Sequence, residues 1–131
     1  MVILFFICMV LAGISDAVRD TINFHFPISK LRNLPSKFWD SRVSWKNKYK
    51  NGIIAKGPKF LGSTTILVTF TDAWHLFKSL NGTFLLIGHA LFIYFTYHTS
   101  LQLFQIFLYL IIGWVIYRQA FEFSYRFLKK P

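Results

Sequence analysis

Charged side chains are scarce in this chain of 131 residues. Asp, Glu, Lys and Arg together make up 15% of it, whereas an average soluble domain has about 25%. Hydrophobic residues account for 54% of the chain, including 16 Phe, and the mean hydropathy is +0.44. This composition argues against a soluble globular protein. It predicts an all-α integral membrane protein that folds as a single domain.

The chain also has almost no cysteine and none of the common catalytic sequence motifs. Cys8 is the only cysteine, which excludes an intrachain disulfide and a cysteine-based metal site. HExxH, GxSxG, GxGxxG and the Walker phosphate loop do not occur, and no two of the four histidines are three or four residues apart. An enzyme is therefore the less favoured class, and no metal or other cofactor is predicted.

Basic residues outnumber acidic ones by 15 to 5, which gives a net charge of +10. Ten of the basic residues lie between Arg19 and Lys59, and four more lie at Arg118, Arg126, Lys129 and Lys130. They flank the apolar runs, as the Lys and Arg of cytoplasmic loops do. Their placement indicates membrane lipid as the partner, and not nucleic acid.

The amino-terminal run, residues 1–20, predicts the first membrane helix. A cleaved signal peptide is the alternative, but no Lys or Arg precedes the apolar run and a good cleavage site is missing. The run ends in an ionic cluster of Asp16, Arg19 and Asp20. A salt bridge at the interface explains this cluster; the alternative turns Asp16 inward toward His75.

Two further apolar runs, residues 81–97 and 101–117, predict a hairpin of antiparallel helices. The break between them falls at residues 98–100, and a basic tail, residues 118–131, continues the last helix. Polar and small residues recur at helical spacing across the hairpin, which is typical of a packed helix face. This predicted packing stripe consists of His98, Gln102, Gln105, Tyr109 and Gly113.

Residues 63–80 are apolar enough for a membrane but too polar for a plain anchor. On a helix, the hydroxyl-bearing and charged side chains of this run fall on one half and the apolar ones on the other. The run therefore predicts an amphipathic helix in addition to three spanning helices. It lies at the interface or forms the cytoplasmic half of one long helix that continues to Tyr97; four spans are the alternative. Asp72 and His75 would touch on its polar face. With His89 and Asp16, they form the candidate polar intramembrane site.

The segment between the first two helical regions, residues 21–59, mixes aromatic and basic residues. It predicts an irregular loop at the membrane interface, because aromatic rings beside cations suit anionic headgroups. The residues expected to contact headgroups are Trp39, Arg42, Trp45, Lys46, Lys48, Tyr49 and Lys50. Three crossings with the amino terminus outside put this loop and the carboxyl terminus in the cytoplasm.

A metal- or proton-handling protein, either an enzyme or an oligomeric channel, is the alternative function. Asp72, His75 and His89 would supply one carboxylate and two imidazoles to a metal. Asp72 and His75, together with Asp16, would supply titratable groups to a proton path. A chain this small would line such a path only as an oligomer.

Two stretches, Arg42–Gly52 and Gly62–Lys78, resemble small multi-pass membrane proteins of bacteria. The residues that carry the resemblance read SWKNKYKNG and GSTTILVTFTDAWHLFK. The resemblance implies the bacterial cytoplasmic membrane but no activity, ligand or site residue. The function expected from all these features is non-enzymatic: contact with anionic lipid, or a small subunit of a membrane complex or homo-oligomer.

Overall fold

The computed structural model describes residues 1–130, which form helices and turns without a β-strand. Five α-helices follow one another: α1 (Val2–Phe24), α2 (Ser36–Trp39), α3 (Ser41–Ser44), α4 (Ala73–Thr99) and α5 (Leu103–Lys129). The intervening 3-10 turns span Phe26–Ile28, Trp45–Lys48, Lys50–Gly52, Ile54–Lys56 and Ile66–Phe70. Within residues 1–130, α1, α4 and α5 are the three helices long and apolar enough to cross a membrane. The predicted all-α class is confirmed.

Helix α1 lies against both α4 and α5, and it is the most buried of the three long helices. Phe5, which is 1% exposed, fills the centre of the contact. Small residues allow this close approach: a Cβ atom at Gly113 would lie 2.5 Å from the Phe5 ring, and one at Gly88 would lie 2.9 Å from the Cβ of Cys8. A Cβ atom at Gly13 would overlap the backbone carbonyl oxygen of Tyr117. Glycines on all three helices thus bring the backbones together.

Contacts along the helices define their directions. Helix α1 runs antiparallel to α4, since the Asn81 side chain donates to the Ala12 carbonyl at 3.0 Å while Val18 and Ile22 pack against Ala73. Helix α1 runs parallel to α5. The pairs that define this direction are Phe5 with Gly113, Asp16 with Tyr117, and His25 with Tyr125. The segment between α1 and α4 and the carboxyl end of α5 therefore lie at the same end of the bundle.

The two ends of the bundle differ completely in charge. Residues 1–15 and 79–117 contain no Asp, Glu, Lys or Arg. All fifteen basic and all five acidic residues lie in residues 16–78 and 118–130, which the helix directions bring to one end. This charged end carries the segment between α1 and α4. The uncharged end carries the turn at Ser100, whose φ of 47° marks the left-handed conformation.

The predicted amphipathic helix over residues 63–80 is wrong for residues 63–72, whereas residues 73–80 are helical and form the first turns of α4. Residues 66–70 form a 3-10 turn, and α4 begins only at Ala73, after Asp72 in extended conformation (φ −159°, ψ 162°). Ser63 Oγ donates to the Lys48 carbonyl, fifteen residues away in the sequence, at 2.8 Å. Thr71, which belongs to the predicted polar helix face, bonds the local backbone instead: its Oγ1 donates to the Val68 carbonyl at 2.7 Å. Such bonds compete with helix formation. Residues 63–72 therefore contribute no fourth helix long enough to cross a membrane.

Three other predicted boundaries move. Residues 73–80 and 81–97 belong to one helix, with Asn81 and Gly82 inside it. Helix α1 extends to Phe24, beyond the predicted end at residue 20. Helix α5 begins at Leu103 and continues through the predicted basic tail to Lys129. The predicted break at residues 98–100 agrees with the end of α4 at Thr99.

Candidate functional site

Asp72 and His75 meet at the start of α4. The buried carboxylate of Asp72, 1% exposed, caps the helix by accepting the backbone N–H of His75 at 2.9 Å. The Thr71 hydroxyl, which bonds the Val68 carbonyl, lies 3.0 Å from Oδ2 of Asp72. His75 Nδ1 lies 2.7 Å from Oδ2 and 2.9 Å from Oδ1. With Nδ1 donating to the carboxylate, the imidazole has a fixed orientation and Nε2 is left for other partners.

An open cavity of about 320 Å³ lies beside this pair, between the end of α1, helix α3 and the start of α4. Its polar wall comes from three elements, and Trp45 and Trp74 supply aromatic surface. The polar residues are Asn23, Ser41, Arg42, Ser44, Asp72 and His75. Ser44 is fully buried, and its hydroxyl has no hydrogen-bond partner among residues 1–130.

Arg42 is held at the cavity by a bidentate bond to Asp40. Arg42 Nε donates to Oδ1 of Asp40 at 2.9 Å, and Nη2 donates to Oδ2 at 2.6 Å. Hydrogen bonding by this guanidinium, outweighing the opposing effect of burial, holds the pKa of Asp40 below its usual value. Asp40 also caps α3 through the backbone N–H of Arg42. The pair therefore fixes both the helix start and the guanidinium.

Asp16 does not join Asp72 and His75. Its carboxylate accepts the Tyr117 hydroxyl at 2.5 Å, and its other oxygen lies 2.6 Å from Arg19 Nη2. Arg19 also pairs with Asp20 at 3.1 Å. The bond from Tyr117 joins α1 to α5, whereas both contacts of Arg19 lie within α1. The ion pair with Arg19 agrees with the salt-bridge interpretation of the sequence, and the alternative, with Asp16 facing His75, does not hold.

His89 is also separate from the Asp72–His75 pair. It follows His75 by fourteen residues on the same helix, which corresponds to about 21 Å along the axis. Its Nδ1 bonds the Leu85 carbonyl of its own helix at 2.7 Å, and its ring borders an apolar groove with Phe5 and Trp114. Within residues 1–130, no three His, Cys, Asp or Glu side chains come together as a metal-ligand set. The predicted cluster of Asp72, His75 and His89 is therefore not formed.

Only part of the predicted packing stripe contacts another helix. Gly113 is buried against Phe5, and the Tyr109 ring packs near Phe6 with centroids 6.2 Å apart. The other members are exposed. His98 bonds the Tyr94 carbonyl of its own helix, while Gln102 and Gln105 form a capping box at the start of α5. Residues close to a helix end thus serve capping instead of packing.

The predicted headgroup-contact residues lie at the charged end of the bundle. Three of them are half-buried: Trp39, Lys48 and Tyr49. The Trp39 ring packs against the Phe77 ring, with centroids 5.9 Å apart. The exposed members are Arg42, Trp45, Lys46 and Lys50. Lys46 and Lys48 lie over the rings of Trp45 and Tyr49, with nitrogen-to-centroid distances of 5.8 and 5.9 Å.

Asn23, Ser41 and Ser44 are polar cavity residues that were not predicted from the sequence. Nothing in their local sequence separates them from other polar residues near the interface, because the cavity forms only where α1, α3 and α4 meet.

Comparison with known family models, curated proteins and solved structures gives no match.

Proposed function

We propose that this chain is a non-enzymatic integral membrane protein that presents a basic, aromatic surface to anionic lipid headgroups. In this proposal it crosses the bacterial cytoplasmic membrane three times, with the amino terminus outside. The segment between α1 and α4 and the carboxyl terminus then lie in the cytoplasm. The observation that carries the proposal is the segregation of every Lys and Arg to one end of the bundle.

The dimensions and surface of the bundle support membrane insertion. Helices of 23 and 27 residues are about 35 and 40 Å long, enough for a hydrocarbon core of about 30 Å. Their outward faces are strongly apolar: Phe104 is 73% exposed, Leu103 85% and Ile93 66%. A continuous apolar surface of this kind favours lipid over water.

The charge distribution supports the orientation and the lipid preference. Lys and Arg concentrate on the cytoplasmic side of membrane proteins, and anionic lipid attracts them by about 1 kcal/mol for each residue near the surface. The basic segment is tied to the bundle: Lys30 N–H donates to the Leu128 carbonyl at 2.9 Å, and Lys30 Nζ lies 3.5 Å from the Phe127 ring centre. This attachment holds the surface beside the membrane.

A charge-neutralised variant tests the proposal. Lys46→Gln, Lys48→Gln and Lys50→Gln are combined, and the full chain is extracted from nanodiscs of equal phosphatidylglycerol and phosphatidylcholine. Native mass spectrometry then counts the retained lipids. We expect wild type to retain mainly phosphatidylglycerol and the variant to lose about 3 kcal/mol of this preference. The matched control, Lys→Arg at all three positions, should keep it.

Salt supplies an independent check of the same proposal. The preference should fall as ionic strength rises, because exposed charges are screened. Equal retention of both lipids by wild type would overturn the lipid-contact proposal and favour the other non-enzymatic role, that of a small subunit in a membrane complex.

A further inference from the structure

We propose that the cavity beside Asp72 and His75 binds a phosphate group. This inference rests on the proposed function, which puts the cavity at headgroup depth at the charged end of the bundle. The cavity of about 320 Å³ is at the lower end of the range of small-ligand sites, so it accommodates a phosphate with a small headgroup and not a bulky ligand.

The buried hydroxyl of Ser44 is the first indication of a ligand. Ser44 is 0% exposed, lines the cavity, and makes no side-chain hydrogen bond within the described part of the chain. Buried hydroxyl groups in folded proteins nearly always have a partner, because an unmade hydrogen bond costs free energy. A ligand oxygen in the cavity would accept this hydroxyl.

The other polar groups on the wall can also donate. The Ser41 hydroxyl lies 3.4 Å from the Ile22 carbonyl and 3.5 Å from the Asn23 amide oxygen, so the Asn23 NH₂ group is left to donate to a ligand. Two nitrogens of Arg42 bond Asp40, which leaves Nη1 to donate. A wall of amide, hydroxyl and guanidinium donors matches an acceptor-rich anion such as phosphate.

The carboxylates near the cavity are already engaged. Asp72 accepts from two nitrogens of His75, and Asp40 accepts from Nε and Nη2 of Arg42. His75 Nε2 is directed away from its carboxylate partner. Residues 19–59 carry ten basic residues against Asp20 and Asp40. The local field therefore attracts an anion.

Two sources offer the same phosphate chemistry: a phospholipid headgroup and a free phosphate ion. Isothermal titration calorimetry on the full chain in a nonionic detergent separates them. One arm uses dioctanoyl phosphatidic acid and the other uses inorganic phosphate. Binding in the lipid arm alone identifies a headgroup site; binding in both arms with competition identifies a site for free phosphate. Absence of saturable binding in both arms overturns the proposal.

Ser44→Ala is the decisive variant. It removes an unsatisfied buried hydroxyl, so the ligand-free variant should unfold at the wild-type temperature or above it. Its affinity for the bound probe should fall about tenfold or more, as expected for a lost hydrogen bond to a charged group. Asn23→Ala should also weaken binding. The matched control is Ser79→Ala, an exposed position on α4 outside the cavity, which should bind as wild type does.

The outcomes distinguish failure of this inference from failure of the proposed function. Wild-type affinity in both Ser44→Ala and Asn23→Ala overturns the cavity site, even where the Lys→Gln variant loses its preference for anionic lipid. Weakened saturable binding in Ser44→Ala supports the cavity site, even where neutralising the three lysines changes nothing.

Discussion

Gly13 offers the sharpest test of how α1 packs against α5. A Cβ atom at this position would overlap the Tyr117 carbonyl oxygen and would lie 3.0 Å from the Ala120 Cβ. The backbone cannot rotate aside as a side chain can, so Gly13→Ala must push the two helices apart. Gly82 in α4 is the matched control, because a Cβ atom there meets nothing within 4 Å.

Both substitutions gain helix propensity, but only one of them overpacks a helix contact. Replacing Gly by Ala inside a helix contributes about 1 kcal/mol of stability at either position. Overpacking costs about 1–3 kcal/mol and applies only at Gly13. We therefore expect Gly13→Ala to be less stable than Gly82→Ala by about 1–3 kcal/mol. Gly82→Ala itself should be slightly more stable than wild type.

Cys8 provides the measurement. It is the only cysteine in the chain, and it is 8% exposed in the folded structure. A fluorogenic maleimide in mild detergent should therefore label it as the bundle unfolds with rising temperature. The midpoint for Gly13→Ala should lie several degrees below that for Gly82→Ala. Equal midpoints, or a higher midpoint for Gly13→Ala, would refute the packing of Gly13 against Tyr117.

Two further predictions concern orientation and pH. In a Cys8→Ser background, a membrane-impermeant maleimide should label Ser100→Cys in intact bacterial cells but label Lys56→Cys only after permeabilisation. Labelling of both from the same side would contradict three crossings. The pKa of Asp40 is depressed in the folded chain, so its bond to Arg42 stabilises the fold at pH values above the ordinary Asp pKa of about 3.9. This stabilisation is lost as the pH falls below that value. Wild type should therefore lose more thermal stability than Asp40→Asn between about pH 5 and pH 3, and equal losses would contradict this assignment.

The uncharged lengths of the chain were sufficient to predict three long helices. Residues 1–15 and 79–117 contain no Asp, Glu, Lys or Arg, and helices satisfy their own backbone hydrogen bonds, so an apolar run of this length strongly favours a helix. The contact between Asp72 and His75 was also predictable. It needs only a separation of three residues, whether both lie within a helix or one of them caps it.

Helical periodicity gave a wrong helix prediction for residues 63–72 because it treats every polar residue alike. Thr71 and Asp72 occupy the polar side of a helical projection, yet one bonds a turn carbonyl and the other caps α4. A projection cannot distinguish a side chain that faces water from one that bonds the local backbone. The start of α4 therefore depended on which local hydrogen bonds these two side chains make.

Local sequence determined where the long helices form and how charge is distributed along the chain. The tertiary structure alone decided that α1 packs against both α4 and α5, that Asp16 meets Tyr117 rather than His75, and that Ser44 joins His75 at one cavity. Each of these contacts links residues distant in sequence. For the three long helices, the geometry depends on how closely Gly13, Gly88 and Gly113 let the backbones approach, and no local pattern encodes that distance.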